Sequence, residues 1–235
     1  MCTNKTIKNE LRKYSKKSKA RDLQRFFKTG PGEYGEGDVF IGVMVPNIRK
    51  VSKLYNETPL NEVLKLLKSK IHEERLTALL ILVYKFAESN ADQKKKIFQI
   101  YINNVRYINN WDLIDLTAHH IVGAYLMDKN KDLLYSFARS TNLWKRRISV
   151  LSTFNYIKQN KFEDSLAIAD MLLNDKEDLI HKAVGWMLRE IGNRNLQIEE
   201  RFLKTRYKQM PRTMLRYAIE KFTESRRKRY LLGRI

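Results

Sequence analysis

A chain of 235 residues with 46 Lys+Arg against 26 Asp+Glu carries a formal net charge of +20, and 43% of it is hydrophobic, enough to bury a sizeable core. That imbalance favours a polyanionic partner held by phosphate neutralisation, nucleic acid or an anionic surface. Nine Gly and four Pro are too few for the turns of an all-β chain, and the single Cys2 excludes an internal disulfide framework and points to a reducing compartment.

The N-terminal "MCTNKTIKNELRKYSKKSKARD" lacks the apolar core of a signal peptide. The longest apolar run, "LTALLILVY", is about half of the roughly 18–20 residues that a membrane span needs. A cytoplasmic protein without a membrane partner is expected. Basic clusters stand at "RKYSKKSKAR", "QKKK", "WKRR" and "SRRKRY".

Taken in chain order, the segment Lys28 to Val43, "KTGPGEYGEGDVFIGV", holds five of the nine glycines and reads as a long loop. It lacks the order G-x-x-x-x-G-K-[ST], and Glu33, Glu36 and Asp38 would repel a phosphate. Pro46 fits the first turn of a helix "PNIRKVSKLY". After it come "PLNEVLKLLKS", "HEERLTALLILVYKFAES", "ADQKKKIFQIYINNV", "NNWDLIDLTAHHIVGAYLM", "KDLLYSFARS", "LWKRRISVLSTFNYIKQ", "FEDSLAIADMLLN", "DLIHKAVGWMLREIG", "QIEERFLKTRY" and "PRTMLRYAIEKF". Each has apolar residues at i, i+3, i+4 and i+7, short polar links join them, and no alternating strand is found. The fold class is all-α.

The longer helices recur. Units beginning at Arg75, Asp112, Arg147, Lys182 and Thr213 follow one another at steps of roughly 35 residues, with a second amphipathic helix between them. This is the pattern of an α-solenoid of stacked antiparallel HEAT-like helix pairs, forming one domain over residues 1–235. Equivalent helices should line a concave basic face, with Arg75, Arg147 and Lys182 in register along it.

Trp111 and Asp115 are four residues apart, so they share a helix face, and Asp112 is three from Asp115. Asn110 reads as the N-cap, and Asp112 as a first-turn acid that offsets the helix dipole. Asp115 is too far in to cap; an ion pair with a neighbouring cation and a functional carboxylate both remain open. Trp144 immediately precedes "KRR". Lys182, Trp186 and Arg189 share a face at i, i+4 and i+7, and an indole between two cations suits an exposed functional aromatic better than a core residue. Arg212 and Arg216 likewise fall on one face. The histidines at 72, 119, 120 and 181 form no metal set, since His119 and His120 point about 100° apart on a helix. His119 could reach Asp115 in a hydrogen bond. No H-E-x-x-H or G-x-S-x-G arrangement is present.

"NNWDLIDL", "LWKRRISVL", "HKAVGWMLREIG" and "RFFKTGPGEYGEGDVFIGVMVPNIRKV" together resemble the bacterial DNA alkylation repair family, the HEAT-like-repeat alkylpurine DNA glycosylases, in order and over nearly the whole chain. The resemblance implies a concave face that holds duplex DNA carrying alkylated bases, and excision of 3- and 7-alkylpurines without base flipping, metal or cofactor. It implies that Asp115 is the catalytic carboxylate, that Trp111 and Trp186 are the active-site indoles, and that Arg147 binds DNA; Arg189 falls on the arginine of the G-W-x-L-R-E motif and is an expected DNA ligand. Arg146, Lys182, Arg212 and Arg216 join them as expected DNA ligands, and a monomer suffices. The chain departs from some family members in carrying Phe26 and Phe27 where they have a tyrosine, and in its long Gly-rich insertion. A non-catalytic binder of damaged or branched DNA and a protein–protein adaptor are the alternative readings, the adaptor explaining the charge least well.

Overall fold

The segment "HEERLTALLILVYKFAE" is apolar nearly all round after its first turn, and a helix of that kind has to be buried on every side. In the computed structural model, which describes residues 3–235, it forms the central helix of the N-terminal half. Cys2, on which the disulfide reading rests, lies outside the described residues. The chain divides into two compact units, Met1–Ile121 and Val122–Ile235.

The first unit contains α1 (Asn4–Arg12), α2 (Lys17–Phe26), α3 (Val45–Leu54), α4 (Leu60–Leu67), α5 (His72–Glu88), α6 (Ala91–Asn103) and α7 (Trp111–Asp115). α5 packs against α3 and α4 and buries Leu76, Leu79, Leu80, Ile81 and Leu82, each contributing about 1.5–3 kcal/mol of transfer free energy. Pro46 stands in the first turn of α3, as its fixed φ favours. α1 is tied to α4 by Asn4, whose backbone and side-chain amides both donate to Glu62 Oε2 at 2.9 and 2.6 Å.

The second unit contains α8 (Ala124–Leu126), α9 (Asp132–Ala138), α10 (Leu143–Ser152), α11 (Phe154–Ile157), α12 (Glu163–Met171), α13 (Asp178–Gly192), α14 (Leu196–Arg206), α15 (Arg212–Ala218) and α16 (Glu224–Leu231). Its centre is α13, packed by α10, α14 and α15. The buried residues Ile180, Ala183, Val184, Met187, Leu188 and Ile191 trace its inner stripe. At Gly185 a Cβ would lie 2.5 Å from the Met214 carbonyl, so α15 approaches at a distance only glycine permits.

The all-α expectation holds among the described residues; the extended run before Pro46 makes only an isolated parallel bridge, Val39 to Ile71. Two predicted helices are interrupted. The one begun at Trp111 stops after Asp115, turns, and re-forms as a π-turn at His119–Gly123. There the Thr117 hydroxyl bonds the Leu113 carbonyl, and the Thr117 carbonyl accepts from both His120 and Ile121 amides at 3.1 Å, a bifurcated turn that leads into the wider π-turn. The helix begun at Leu143 breaks at Thr153, where the Ser152 and Thr153 hydroxyls bond the Ile148 and Val150 carbonyls at 2.6 and 2.7 Å. Three further helices, α1, α2 and α16, lie in stretches for which no helix is read from the sequence above. Among the described residues no helix is long and apolar enough to cross a membrane.

Candidate functional site

α7 is short, and its two ends do different work. Asn110 caps it as expected, its Oδ1 accepting from the Trp111 amide at 2.9 Å. Asp112 Oδ1 accepts from the Leu113 amide at 2.9 Å, so it serves the first turn, but its second oxygen accepts from His72 Nε2 at 2.8 Å. Asp115 is the last residue of α7 and is half-buried. The unsatisfied carbonyls at a helix C-terminus disfavour an anion, so capping does not account for a carboxylate there. Beneath it Tyr101 is fully buried, its hydroxyl 3.1 Å from the Thr117 hydroxyl. Burial raises the phenol's pKa, the bond to Thr117 opposes this, and the Asp115 charge raises it further, so Tyr101 stays neutral beside the carboxylate.

Trp111 is held by rings. Its indole stacks on Phe27 with centroids 5.0 Å apart, Phe27 stacks on Phe40 at 5.0 Å, and Phe40 stacks on the His72 imidazole at 4.4 Å. Phe26, 63% exposed, meets the indole edge-on at 5.8 Å. The stack therefore begins in solvent and ends in a buried ion-pair chain.

That chain is built on the first turn of α5, where His72, Glu73, Glu74 and Arg75 are all buried. His72 donates to Asp38 Oδ2 at 3.1 Å and to Asp112 Oδ2 at 2.8 Å. Burial alone would pull the imidazolium pKa down; the two carboxylates outweigh burial and the nearby Arg75, and raise it to about 9. Burial pushes the Asp38 carboxyl up, but hydrogen bonding to His72 and the charge of Arg75 hold it below its ordinary value. Arg75 reaches Asp38 Oδ1 at 2.6 Å and Asn109 Oδ1 at 3.1 Å, and its other nitrogen donates to the Ser69 and Lys70 carbonyls at 3.2 Å. With two carboxylates and two cations the cluster is neutral, and each charge has a partner.

Arg75 had been expected to line a binding face. At 3% exposure, with four donor contacts inside the protein, it is instead a structural residue. Its counterpart in the second unit is Arg146, which donates to the Ser140 and Thr141 carbonyls at 3.0 and 2.9 Å and pairs with Asp175 at 2.7 Å. The repeat register taken from Arg147 was thus one residue late, and Arg146, expected among the DNA ligands, spends its donors within the protein. Arg147 itself is 4% exposed and donates to the Leu179 carbonyl.

On α13, Lys182, Trp186 and Arg189 share a half-buried face. Lys182 pairs with Asp178 at 2.7 Å. The Trp186 indole N–H donates to Glu190 Oε1 at 3.2 Å, and its ring lies 5.7 Å from Phe154. Arg189 bonds Glu220 and stands 3.8 Å from Glu190. Arg212 and Arg216 are exposed, the former donating to the Leu231 carbonyl at 2.8 Å. Among the described residues no three His, Cys, Asp or Glu side chains gather as a metal-ligand set. Sequence reasoning missed His72 and Asp38 as neighbours of Trp111; a histidine beside two acids in a buried "HEER" turn was the available signal.

The model of the DNA alkylation repair enzyme family matches residues 7–222. No curated protein matches the chain. Among solved structures, one described as a predicted DNA alkylation repair enzyme from Enterococcus faecalis superposes with a TM-score of 0.70 at 15% identity, over 89% of this chain and 97% of that one. At that identity the likeness speaks to the fold.

Proposed function

Since this chain belongs to the DNA alkylation repair enzyme family, we propose that it is a DNA glycosylase hydrolysing the N-glycosidic bond of cationic 3- and 7-alkylpurines in duplex DNA. The observation that carries the reading is Asp115: a half-buried carboxylate at the wrong end of a helix for capping, one turn from an indole. The chain around it carries a net charge of +20.

A purine alkylated at N3 or N7 already bears positive charge. When the C1′–N bond breaks, its electron pair neutralises the departing base, so no strong acid is needed. The sugar is left as an oxocarbenium ion, and a carboxylate placed there stabilises it electrostatically. Water then bonds to C1′ and gives up a proton, for which Asp115 is the acceptor; free base and an abasic site result. The face of Trp111, one turn from Asp115, is the proposed contact to the cationic lesion and its deoxyribose, and Trp186 is the proposed functional indole of the second unit. Lys182, Arg189, Arg212 and Arg216 are the proposed DNA ligands, while Arg146 keeps the start of α10 in place. Arg147, expected among the ligands, is as buried as Arg75 and bonds the Leu179 carbonyl. Residues 1–235 would act as one monomeric domain in the cytoplasm, without metal or cofactor.

The test is release of 7-methylguanine and 3-methyladenine from methylated duplex DNA by wild type and Asp115→Asn. Loss of one transition-state electrostatic partner should slow release by about 100-fold. Equal release by both proteins would remove Asp115 from the mechanism. No release by either, with tight DNA binding kept, would make the chain a non-catalytic binder. Affinity should also fall steeply with salt, and a flat response would sink the phosphate-contact reading.

A further inference from the structure

The Gly-rich segment 28–43 is ordered by carboxylates and close packing. Glu33 and Glu36 accept from the Gly30 and Gly32 amides at 2.8 and 3.0 Å, so these acids serve the loop's own backbone. Buried Glu73 accepts from three successive amides, Ile41, Gly42 and Val43, at 3.0, 2.8 and 3.2 Å. Gly42 has φ +82°, and a Cβ there would lie 2.1 Å from the Lys16 carbonyl, so the loop seats against the start of α2. A Cβ on Gly35 would lie 2.5 Å from the Phe27 carbonyl and 3.2 Å from the Asn110 amide. The loop thus touches both the residue that stacks on Trp111 and the residue that caps α7.

Two other members of the loop complete the path. Phe40 is the middle ring between Phe27 and His72. Asp38 accepts from His72, Arg75 and Asn109, and lies 3.5 Å from the Asn110 amide. Asn109, Asn110 and Asp112 flank Trp111 on both sides in the chain, and each of these three is tied to Asp38 directly or through His72. A surface loop ordinarily has few buried partners; this one places a charged side chain and a phenyl ring in the unit's interior.

We propose that segment 28–43 is the positioning element for Trp111, fixing the indole through the Phe27, Phe40 and His72 stack and through the Asp38, His72 and Asp112 ion-pair chain that anchors α7. The importance of that positioning for excision rests on the glycosylase reading. The geometric claim does not.

The test uses the full chain with Trp144→Phe and Trp186→Phe, which leaves Trp111 as the one indole of three. Asp38→Asn and Asp112→Asn, both close in shape to the native side chains, should each raise acrylamide quenching of Trp111 about twofold, with the helical circular dichroism retained. A companion chain that keeps only Trp186 should show no change, which separates loss of positioning from general loosening. Quenching unchanged in both Asn variants overturns the proposal whatever the wild-type activity. In the chain with all tryptophans, Asp38→Asn should slow single-turnover release of 7-methylguanine about tenfold or more, as expected for a misplaced contact group. Its Kd for undamaged duplex should move less than about threefold, since phosphate contacts dominate that binding. If wild type releases no base, the glycosylase reading fails while the quenching comparison still decides what the loop does. Normal release by Asp38→Asn, alongside loss in Trp111→Ala, would overturn the positioning role.

Discussion

Two indoles matter in this chain, and they are held in different ways. Trp186 sits on one long helix among residues three and four positions away: Lys182 pairs with Asp178, and the indole bonds Glu190. Trp111 sits on a five-residue helix and is held by residues distant in sequence: Phe27, Phe40, Asp38 and His72. The first arrangement is local, partly solvated and cheap to alter. The second is buried and collective, so removing one charge strands another. Residues expected to have the same job therefore differ in how much of the fold depends on them.

The largest effect should come from stranding a charge. Arg75→Ala leaves Asp38 with His72 as its sole remaining cationic partner and removes two backbone-carbonyl contacts, a loss in the range of about 3–5 kcal/mol for a broken buried pair. Urea unfolding should show it as a lower midpoint of the first unit. Arg146→Ala removes the equivalent contacts of the second unit and should come close behind, its pair being a little more solvated. An Arg75→Ala midpoint within error of wild type would mean that the buried cluster contributes no stability and that the contrast between the two regions is false.

What was legible in the sequence follows the same division. Helical periodicity is local, and so were the cap at Asn110, the Pro46 start and the shared face of Lys182, Trp186 and Arg189. The partners of Trp111 were not legible, because nothing in a single chain says that Asp38 meets His72 across 34 positions or that Asp112 meets it across 40. Arg75 and Arg147 looked alike since the repeat is loose enough to hide a one-residue offset, which only the carbonyl contacts of Arg75 and Arg146 expose. The break after Asp115 was hidden too: periodicity runs through Thr117, and the hydroxyl that bonds back to Leu113 has no signature of its own.

Titration separates the two units next. The folded pKa of His72 is raised from 6.5 to about 9, so its contribution is complete below 6.5 and is lost as pH rises through 9, on the order of 3 kcal/mol in all. In the second unit Glu199 is 1% exposed and lies against Gly192, and burial followed by the charge of Glu200 pushes its pKa up to about 9. Its folded form also binds the extra proton, so the sign is the same: stability falls as pH rises from 4.5 through 9. The reasons are opposite, since His72 loses a charge its partners need and Glu199 gains one its surroundings cannot solvate. Only Glu199 acts between 4.5 and 6.5. Glu199→Gln should therefore flatten stability in that window and leave only the His72 part of the fall above 6.5. His72→Gln should keep the fall in that window and make the fall from 6.5 to 9 shallower without abolishing it. A wild-type curve flat from pH 4.5 to 9 would contradict both assignments.

The smallest expected change in stability gives the sharpest reading of the local site. Lys182 and Asp178 form an i, i+4 pair that is about half exposed, a geometry worth only a few tenths of a kcal/mol and weakened by salt. Lys182→Ala should barely move the unfolding midpoint, in contrast to Arg75→Ala. Its effect should appear instead in DNA binding, as a weaker Kd across all sequences and a salt slope smaller by about one, which is the mark of a single lost phosphate contact. The pair with Asp178 implies an exchange: the ammonium leaves a carboxylate to reach a phosphate, so Asp178→Asn should strengthen binding where Lys182→Ala weakens it. If both variants bind like wild type, Lys182 is a helix-surface residue and the DNA ligands of the second unit lie elsewhere. If Lys182→Ala instead unfolds the unit, the local site is as collective as the one around Trp111, and the distinction between the two regions disappears.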